Sequence, residues 1–217
     1  MIEPVLPVRV VDRVLDVPLQ NAELPGFMLG AFRTEVGAQA AEHGIIYRPG
    51  IEGLGPCPLV RINSACFTGD IFGDTRCDCS EQLQIALQQV LIEPGLVIYH
   101  LHHDGRGLGY TQKLAAYKRM LEEGTDSFEA ASDVAGRADF REYGSAVAIL
   151  RNLGISRIRL LTNNPGKRSA LEARGIEVVE MVGIVSTREE LRPYLLSKQL
   201  RQAHQIYHHR NSSGDAV

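Results

Sequence analysis

The chain has 217 residues, of which 44% are hydrophobic and 23% are charged, as is usual for a globular domain with a well-filled core. Its net charge of −3 gives no support to a general nucleic-acid or membrane-surface binder, although a local basic cluster could bind a small anion. No apolar run reaches the ~18–20 residues of a membrane span, and the start does not resemble a signal peptide. We therefore expect a cytoplasmic protein with reduced cysteines and with neither a nucleic-acid nor a membrane partner.

Strand and helix patterns alternate along the chain. The N-terminal third holds three short apolar stretches that predict strands, PVRVVDRVLDVPL, FMLGAF and GIIYRPG. From there the pattern predicts a strand over 58–63, a helix over 80–91 with Ser80 as its N-cap, a strand over 95–101 and a helix over 110–124. After a polar connector it predicts a helix over 141–154, a strand over 157–162, a helix over 168–175 and a strand over 176–182. A polar helical arm over 186–207 comes last. This order indicates an α/β fold with a strand-rich N-terminal part, in one domain over residues 1–206, followed by a disordered tail over 207–217.

Three of the four cysteines, Cys66, Cys77 and Cys79, lie close together in the sequence. Zinc–thiolate sites need sulfurs that converge on one ion at about 2.3 Å, and the two glycines between Cys66 and Cys77 permit a tight return. Three thiols would leave a position for water, which is the pattern of a catalytic zinc, whereas a fourth ligand from Cys57 or a histidine would make the site structural. Buried thiols without a metal remain the alternative. Cys57 itself is expected to be a half-buried free thiol.

Two loops between a strand and a helix have the composition of anion sites. The segment HHDGRGLG (102–109) offers glycine amides and the donor fork of Arg106. The segment TNNPGK (162–167) offers side-chain hydrogen bonds and the charge of Lys167 near a helix start. Either loop is also compatible with an ordinary turn, so neither decides the function alone.

Five further side chains are candidates for chemistry. His102 and His103 could bind zinc, or could lie partly exposed in a pocket or on the surface. Asp139 and Arg141, two apart before a helix, could form a working acid–base pair or only a surface ion pair. Tyr117 is expected in the core or in a pocket lining.

In this order the segments closely resemble GTP cyclohydrolase II, the zinc enzyme that opens riboflavin biosynthesis. The resemblance covers about residues 58–206 and rests on the segments RINSACFTGDIFGDTRCDCSEQLQIAL, HHDGRGLGYTQKLAAY, ADFREYGSAVAILRNLGISRIRLLTNNPGK and YLLSKQLRQAH. Residues 1–57 carry little of it, and we expect no counterpart of the synthase domain that some members carry in front. The resemblance implies a single-domain GTP cyclohydrolase II-like fold with a mixed β-sheet and flanking helices.

The resemblance also implies a reaction. The family converts GTP and water to formate, pyrophosphate and 2,5-diamino-6-ribosylamino-4(3H)-pyrimidinone 5′-phosphate. By position, Cys66, Cys77 and Cys79 would bind one Zn²⁺ per chain, and a water activated there would attack C8 of the purine. The imidazole ring would then open and lose formate. Mg²⁺ would enter with the triphosphate, and the protein would be a homodimer.

Residue roles carry over in the same way. Asp139 falls at the family's proposed proton acceptor, Arg141 at the proposed nucleophile toward the α-phosphate, and Tyr117 at an active-site tyrosine. A guanidinium has no lone pair to spare, so Arg141 could act as a nucleophile only when deprotonated, and a charged Arg141 that stabilises the transition state is the alternative. The positions that would bind the nucleotide are Arg61, Ile62, Asn63, Ser64, Ala65, Gln82, Asp104, Gly105, Arg106, Ser127, Thr162 and Lys167.

The sequence departs from the family at the nucleotide positions. The usual Arg-Val-His-Ser-Glu is RINSA here, which places Asn63 at a histidine position and Ala65 at a carboxylate position. The usual Arg-Gln-Glu before Gly-Arg is HHD, so that Asp104 is one methylene shorter, and the usual Thr is Ser127. Polar groups in a binding site that lose their hydrogen-bond partners change which ligand the site selects. One hypothesis is therefore ring-opening chemistry on a purine other than GTP. Plain GTP cyclohydrolase II and a non-catalytic nucleotide-binding relative remain alternatives.

Overall fold

Seven strands form one mixed sheet in the computed structural model, which describes residues 7–186 and 191–204. The strands are β1 (Arg9–Pro18), β2 (Met28–Val36), β3 (Gln39–Arg48), β4 (Leu59–Ser64), β5 (Gly95–His100), β6 (Arg157–Leu161) and β7 (Glu177–Val182). Their order in the sheet is β1-β2-β3-β5-β4-β6-β7. The pairs from β1 to β5 are antiparallel and the pairs from β5 to β7 are parallel. The predicted α/β fold with a mixed sheet and a strand-rich N-terminal part is confirmed.

The described residues form six α-helices. They are α1 (Cys79–Ile92), α2 (Tyr110–Glu123), α3 (Ser127–Ala135), α4 (Gly144–Asn152), α5 (Pro165–Glu172) and α6 (Arg192–Gln202). Of these, α1, α4 and α5 pack against the sheet. Shorter helical turns cover Ile51–Leu54, Phe67–Ile71 and Leu101–Gly107. No helix in the described part of the chain is both long and apolar enough to cross a membrane.

Apolar side chains fill both faces of the sheet. One face packs against α4 and α5, whose residues Ile149, Leu150 and Leu171 join Ile62 and Ile98 in the larger core. The other face packs against α1 through Ala86, Leu87 and Val90. The strands β4 and β5 are largely buried on both faces, as expected for central parallel strands covered by helices.

The parallel half of the sheet contains the point where its connections change direction. From the carboxyl end of β4 the chain crosses to β5, its neighbour toward one edge of the sheet. From β6 the chain crosses to β7, its neighbour toward the opposite edge. In open α/β sheets a crevice forms outside the strand ends at such a point, and ligands bind there. The end of β4 leads directly to Cys66, and the end of β6 leads to Thr162.

Several boundaries differ from the sequence-based expectation. The polar connector contains helix α3, which Asp126 caps by accepting hydrogen bonds from the Phe128 and Glu129 amides. Helix α4 begins at Gly144 rather than at residue 141, because the Arg141 amide donates to the Asp139 carboxylate and not to a helical carbonyl.

Two other helix starts also differ. Ser80 is not an N-cap but lies inside α1, since that helix already begins at Cys79. Helix α5 begins at Pro165, with the Asn164 side chain accepting from the Gly166 amide as its cap. The three N-terminal strands are nine or ten residues long rather than short. The predicted tail, 207–217, lies outside the described residues.

Candidate active site

The three clustered cysteines converge as the spacing predicts. The sulfurs of Cys66, Cys77 and Cys79 all lie within 4.8 Å of one another, and the Sγ atoms of Cys66 and Cys77 are 3.6 Å apart. Cys66 follows β4, the wide helical turn Phe67–Ile71 brings the chain back, and Cys79 is the first residue of α1. The fourth cysteine, Cys57, is half-buried and free, as predicted. The donor set suits Zn²⁺, which takes thiolate ligands in a tetrahedron.

Gly69 lies against the thiols. A Cβ atom at this position would be 3.0 Å from the Cys66 sulfur and 3.2 Å from the Cys77 sulfur. A larger residue would press on these sulfurs, which would have to move by a few tenths of an ångström.

Hydrogen bonds bias the thiols toward one thiolate. The neighbouring thiols of Cys77 and Cys79 donate to Cys66, and with the nearby Lys113 they hold its pKa far below that of a free thiol despite burial. The same hydrogen bond to Cys66 raises the pKa of Cys77 to about 11. Lys113 donates to the Cys66 sulfur at 3.1 Å. A cluster that already holds one thiolate is prepared for a cation.

Asp104 links the thiols to the glycine loop. Its Oδ1 atom accepts from Lys113 Nζ at 2.8 Å and from the Gly105 amide at 2.7 Å, while its Oδ2 accepts from the Phe67 amide at 3.3 Å. Asp104 and Lys113 form a nearly buried ion pair. The shorter carboxylate is therefore fixed beside the metal-binding turn and does not point freely into the cavity.

A cavity of about 130 Å³ opens beside the thiols. All but two of the site residues predicted from the sequence line it: Arg61, Asn63, Ser64, Ala65, Cys66, Cys77, Cys79, Gln82, Asp104, Gly105, Arg106, Tyr117, Ser127, Arg141, Thr162 and Lys167. The exceptions are Ile62, whose side chain is in the core, and Asp139, which lies behind Arg141. His103 is buried in the cavity wall, whereas His102 is exposed outside it.

Arginine and lysine side chains give the cavity a positive field. Lys167 is buried, and its Nζ donates to the Ile62 carbonyl at 2.8 Å. Burial, together with the charges of Arg61 and Arg141, holds the pKa of Lys167 well below its usual range. An anion at this point would relieve that repulsion, so the cavity is suited to phosphate groups.

Arg61 is bound within the protein. Its Nε and Nη2 atoms donate to the Asn63 side-chain oxygen at 3.2 and 3.1 Å, and Nη2 also donates to Gln82 at 2.7 Å. A further bond, at 3.3 Å, reaches the Leu161 carbonyl. Asn63 therefore takes up two of the donors that a ligand would otherwise meet.

Asp139 and Arg141 form a two-pronged ion pair. The Arg141 Nε lies 3.0 and 3.1 Å from the two Asp139 oxygens, and Nη2 also donates to Oδ2. Burial lowers the pKa of Arg141, but Tyr143 and Asp139 outweigh it, and the net shift is upward. Burial raises the pKa of Asp139, but its hydrogen bonds and the charge of Arg141 bring it below the usual range. Both groups are therefore charged in the free protein.

Arg106 is held in a strained backbone conformation. Its φ angle is +60°, which is uncommon outside glycine and asparagine. The side chain donates to the Ser127 hydroxyl at 2.9 Å and lies 3.5 Å from the centre of the Phe128 ring. Helix α3, missed in the sequence, therefore positions this guanidinium at the cavity.

The GTP cyclohydrolase II family model matches residues 12–183. This chain belongs to the GTP cyclohydrolase II family. The match includes β2, β3 and most of β1, where the sequence alone carried little of the resemblance.

Curated relatives of this GTP cyclohydrolase II family chain carry riboflavin biosynthesis names. The riboflavin biosynthesis protein RibBA of Phocaeicola vulgatus is 40% identical over 89% of this chain and 46% of its own length. RibBA of Rhodococcus jostii is 42% identical over 76% of this chain and 40% of its own. A probable bifunctional riboflavin biosynthesis protein of rice, RIBA 1, is 40% identical over 90% of this chain and 36% of its own length. The chain thus spans less than half the length of these relatives.

One solved structure is also similar to this chain. The crystal structure of RibBX, a two-domain 3,4-dihydroxy-2-butanone 4-phosphate synthase from A. baumannii, shares 17% identity and a TM-score of 0.39 over 85% of this chain and 42% of its own. These values are too low to support an inference about the site.

Helix α6 and the residues just after it form a cavity wall whose side chains were not predicted from the sequence. Tyr194, Lys198 and Gln202 of α6 and His204 beyond its end line the cavity. Lys198 donates to the buried Asp78 at 2.6 Å, and Gln202 donates to Asp139 at 2.7 Å. The segment YLLSKQLRQAH resembles a family signature, and that was the available signal for these positions.

Proposed function

We propose that this chain catalyses zinc-dependent opening of a purine nucleotide imidazole ring with release of formate, and of pyrophosphate when GTP is the substrate. One observation carries the proposal. The three thiols open onto the same cavity as the phosphate-suited cations Arg141 and Lys167. A metal-activated water and a bound triphosphate would therefore meet in one place.

The thiols are the proposed zinc ligands, one ion per chain. Bound there, zinc would supply a Lewis acid and lower the pKa of water toward neutrality. The chain's own residues do the rest. Lys113 and Asp104 fix the ligand Cys66 and the turn around it. Burial raises the pKa of Tyr117, so its phenol keeps its proton and can donate to a ring nitrogen of the purine.

Arg141, Lys167 and Arg106 are proposed to bind the phosphates. We assign Arg141 the role of a charged stabiliser of the transferring phosphoryl group, because Asp139 holds it as a guanidinium. Asp139, already ionised and paired, then orients Arg141 instead of removing its proton.

A second candidate is the same ring opening on a related purine or other heterocycle. Ala65 lines the cavity where the family resemblance implies a carboxylate, and Asn63 holds Arg61 away from a ligand. A carboxylate at that position could accept hydrogen bonds from a guanine edge, and alanine cannot. The base that fits this wall would then have fewer donors than guanine.

A substrate panel tests both candidates. Metal-replete protein is incubated with purine nucleotides and related heterocycles, and formate and pyrophosphate are measured. We expect formate from at least one purine nucleotide. Formate from GTP supports the first candidate, and formate only from a base with fewer donors supports the second. If zinc is bound and no compound yields formate, the ring-opening proposal is wrong and a non-catalytic nucleotide binder is the better description.

Replacing Lys167 with methionine should weaken triphosphate binding about 10- to 100-fold, the worth of one hydrogen bond between charged groups. Nζ in the free protein donates to the Ile62 carbonyl, so the change removes little else. Binding is measured by calorimetry with a slowly hydrolysed GTP analogue. The matched control is Lys118→Met, since that side chain is 76% exposed and pairs with Glu122 on the surface. Equal affinity in the two variants would remove Lys167 from the phosphate site.

Replacing Gly69 with alanine should lower zinc affinity roughly 10-fold or more, as loss of a supporting residue does in other sites. The added Cβ would displace a sulfur of the cluster. Gly50→Ala is the control, because its Cβ meets nothing within 4 Å. Affinity is measured by competition with a chromophoric zinc chelator. Unchanged affinity in Gly69→Ala would contradict a close fit of the turn over the thiols.

Two parts of the proposal rest on the family resemblance, namely a homodimer and Mg²⁺ bound with the triphosphate. Two others, a single domain over residues 1–206 and a cytoplasmic location, rest on the sequence pattern. Light scattering gives the oligomeric state directly, and a monomer at all concentrations would contradict it.

A further inference from the structure

Four of the chain's seven histidines meet at one place outside the thiol site. His43 lies on β3, and in the strand register it is directly opposite His100 at the end of β5. His102 and His103 follow in the next turn. The ring centres of His43, His100 and His102 are 4.6, 5.1 and 5.6 Å apart. We call these three residues the histidine cluster.

The imidazoles of the histidine cluster lack the partners that buried polar groups normally have. His100 is 0% exposed, and neither of its ring nitrogens has a hydrogen-bond partner among the described residues. The Nδ1 atom of His43 is likewise buried without one. Buried polar groups without a hydrogen-bond partner are rare in proteins, so these nitrogens call for a partner such as a bound ion.

From this geometry we propose that the histidine cluster is a second metal site, which binds a divalent first-row transition ion of the Zn²⁺ class. One nitrogen from each of the three imidazoles lies within 4.8 Å of the others. Three imidazoles on one tetrahedral ion, with metal–nitrogen distances of about 2.0 Å, have ring centres roughly 5 Å apart, which matches the observed spacing.

The ligand chemistry supports nitrogen-preferring ions over magnesium or calcium. No carboxylate belongs to the three-residue group, and imidazole suits Zn²⁺, Ni²⁺ and Cu²⁺.

A second layer of hydrogen bonds orients one ligand. Nε2 of His43 lies 2.8 Å from the Thr34 hydroxyl, which lies 2.9 Å from the Ser145 hydroxyl. Metal-ligating histidines almost always bond through their other nitrogen in this way. The bond leaves Nδ1 of His43 to bind the ion. His102 is exposed and gives the ion a path from solvent.

The histidine cluster lies at the start of the loop that forms a cavity wall. His103, whose ring stacks on His100 at 4.4 Å between ring centres, lines the cavity, and Asp104 reaches the thiol turn. An ion bound by His100 and His102 would therefore fix the first residues of the loop that carries Asp104 and Arg106. The site is structural for the cavity and distinct from the thiol site.

The two sites are separated by counting ions in matched variants of the full chain. Protein is stripped with a chelator under reducing conditions, dialysed against Zn²⁺ and analysed for metal. We expect about two ions per chain in the parent and about one in Cys77→Ser/Cys79→Ser, which keeps only the imidazole site. His102→Ala should also retain about one ion. The Co²⁺ derivative of His102→Ala should show thiolate charge-transfer absorption, and that of the double cysteine variant should lack it.

Two further variants test whether the second ion belongs to the histidine cluster. The double variant His208→Ala/His209→Ala is a control that removes two consecutive histidines outside the histidine cluster. It should still bind about two ions per chain. Thr34→Val keeps all three imidazoles and should weaken the second ion about 10- to 100-fold. The proposal is overturned if the double cysteine variant, shown to be folded by circular dichroism, binds no ion. It is also overturned if His102→Ala binds as many ions as the parent with equal affinity. Neither result depends on whether the protein releases formate.

Discussion

Replacing Cys77 with serine should lower the zinc content by about one ion per chain and abolish formate release from the preferred purine. The expectation follows from the convergence of three sulfurs within 4.8 Å of one another and from the absence of a fourth cysteine in that group. Because the group has three ligands among the described residues, loss of one leaves two, which is too few to hold zinc tightly. Zinc is measured by elemental analysis and formate by a coupled dehydrogenase assay.

Cys57→Ser is the matched control, because Cys57 is free, half-buried and outside the cluster. It should keep both the metal and the activity. Circular dichroism separates loss of the ion from loss of the fold. Full formate release by a folded, zinc-depleted Cys77→Ser variant would show that the thiols play no part in the reaction.

Replacing Arg141 with alanine should slow pyrophosphate release about 10²- to 10³-fold, the usual cost of removing one preorganised charge from a transition state. The side chain is 11% exposed and is held at two points by Asp139. Pyrophosphate and formate are measured in the same sample, so that an effect on phosphoryl transfer is seen apart from ring opening. Release at the full rate would rule out both roles considered for Arg141.

Asp139→Asn separates the two roles. Asparagine can still orient the guanidinium through its side-chain oxygen, but it cannot accept a proton. If Arg141 acts as a cation, Asp139→Asn should reduce the rate much less than Arg141→Ala. A loss as large as that of Arg141→Ala would instead favour a deprotonated, nucleophilic Arg141.

The thiol site could be predicted from the sequence because its determinants are local. Cys77 and Cys79 are two residues apart, and Cys66 returns to them through one turn. The glycine loop and the segment at Lys167 could be found for the same reason, since each lies between a strand and a helix.

Features that depend on distant parts of the chain could not be predicted in this way. Arg61 offers a cavity-lining guanidinium in the sequence, and only the structure shows Asn63 and Gln82 occupying its donors. His43 gave no signal, because it meets His100 only through the pairing of β3 with β5. Helix α3 was hidden by its polar flanks, although Asp126 is a strong cap.

The ion pair between Lys198 and Asp78 has a consequence for biosynthesis. Asp78 stands between two of the clustered cysteines, and its partner comes from the last described helix, α6. Domains begin to fold while the chain is still being made, N-terminal parts first. A ribosome-bound chain that ends after β7 has every strand of the sheet, but Asp78 lacks the counter-charge of Lys198 and the cavity has no α6 wall. The chain therefore becomes competent to hold its ligand only after α6 has been synthesised.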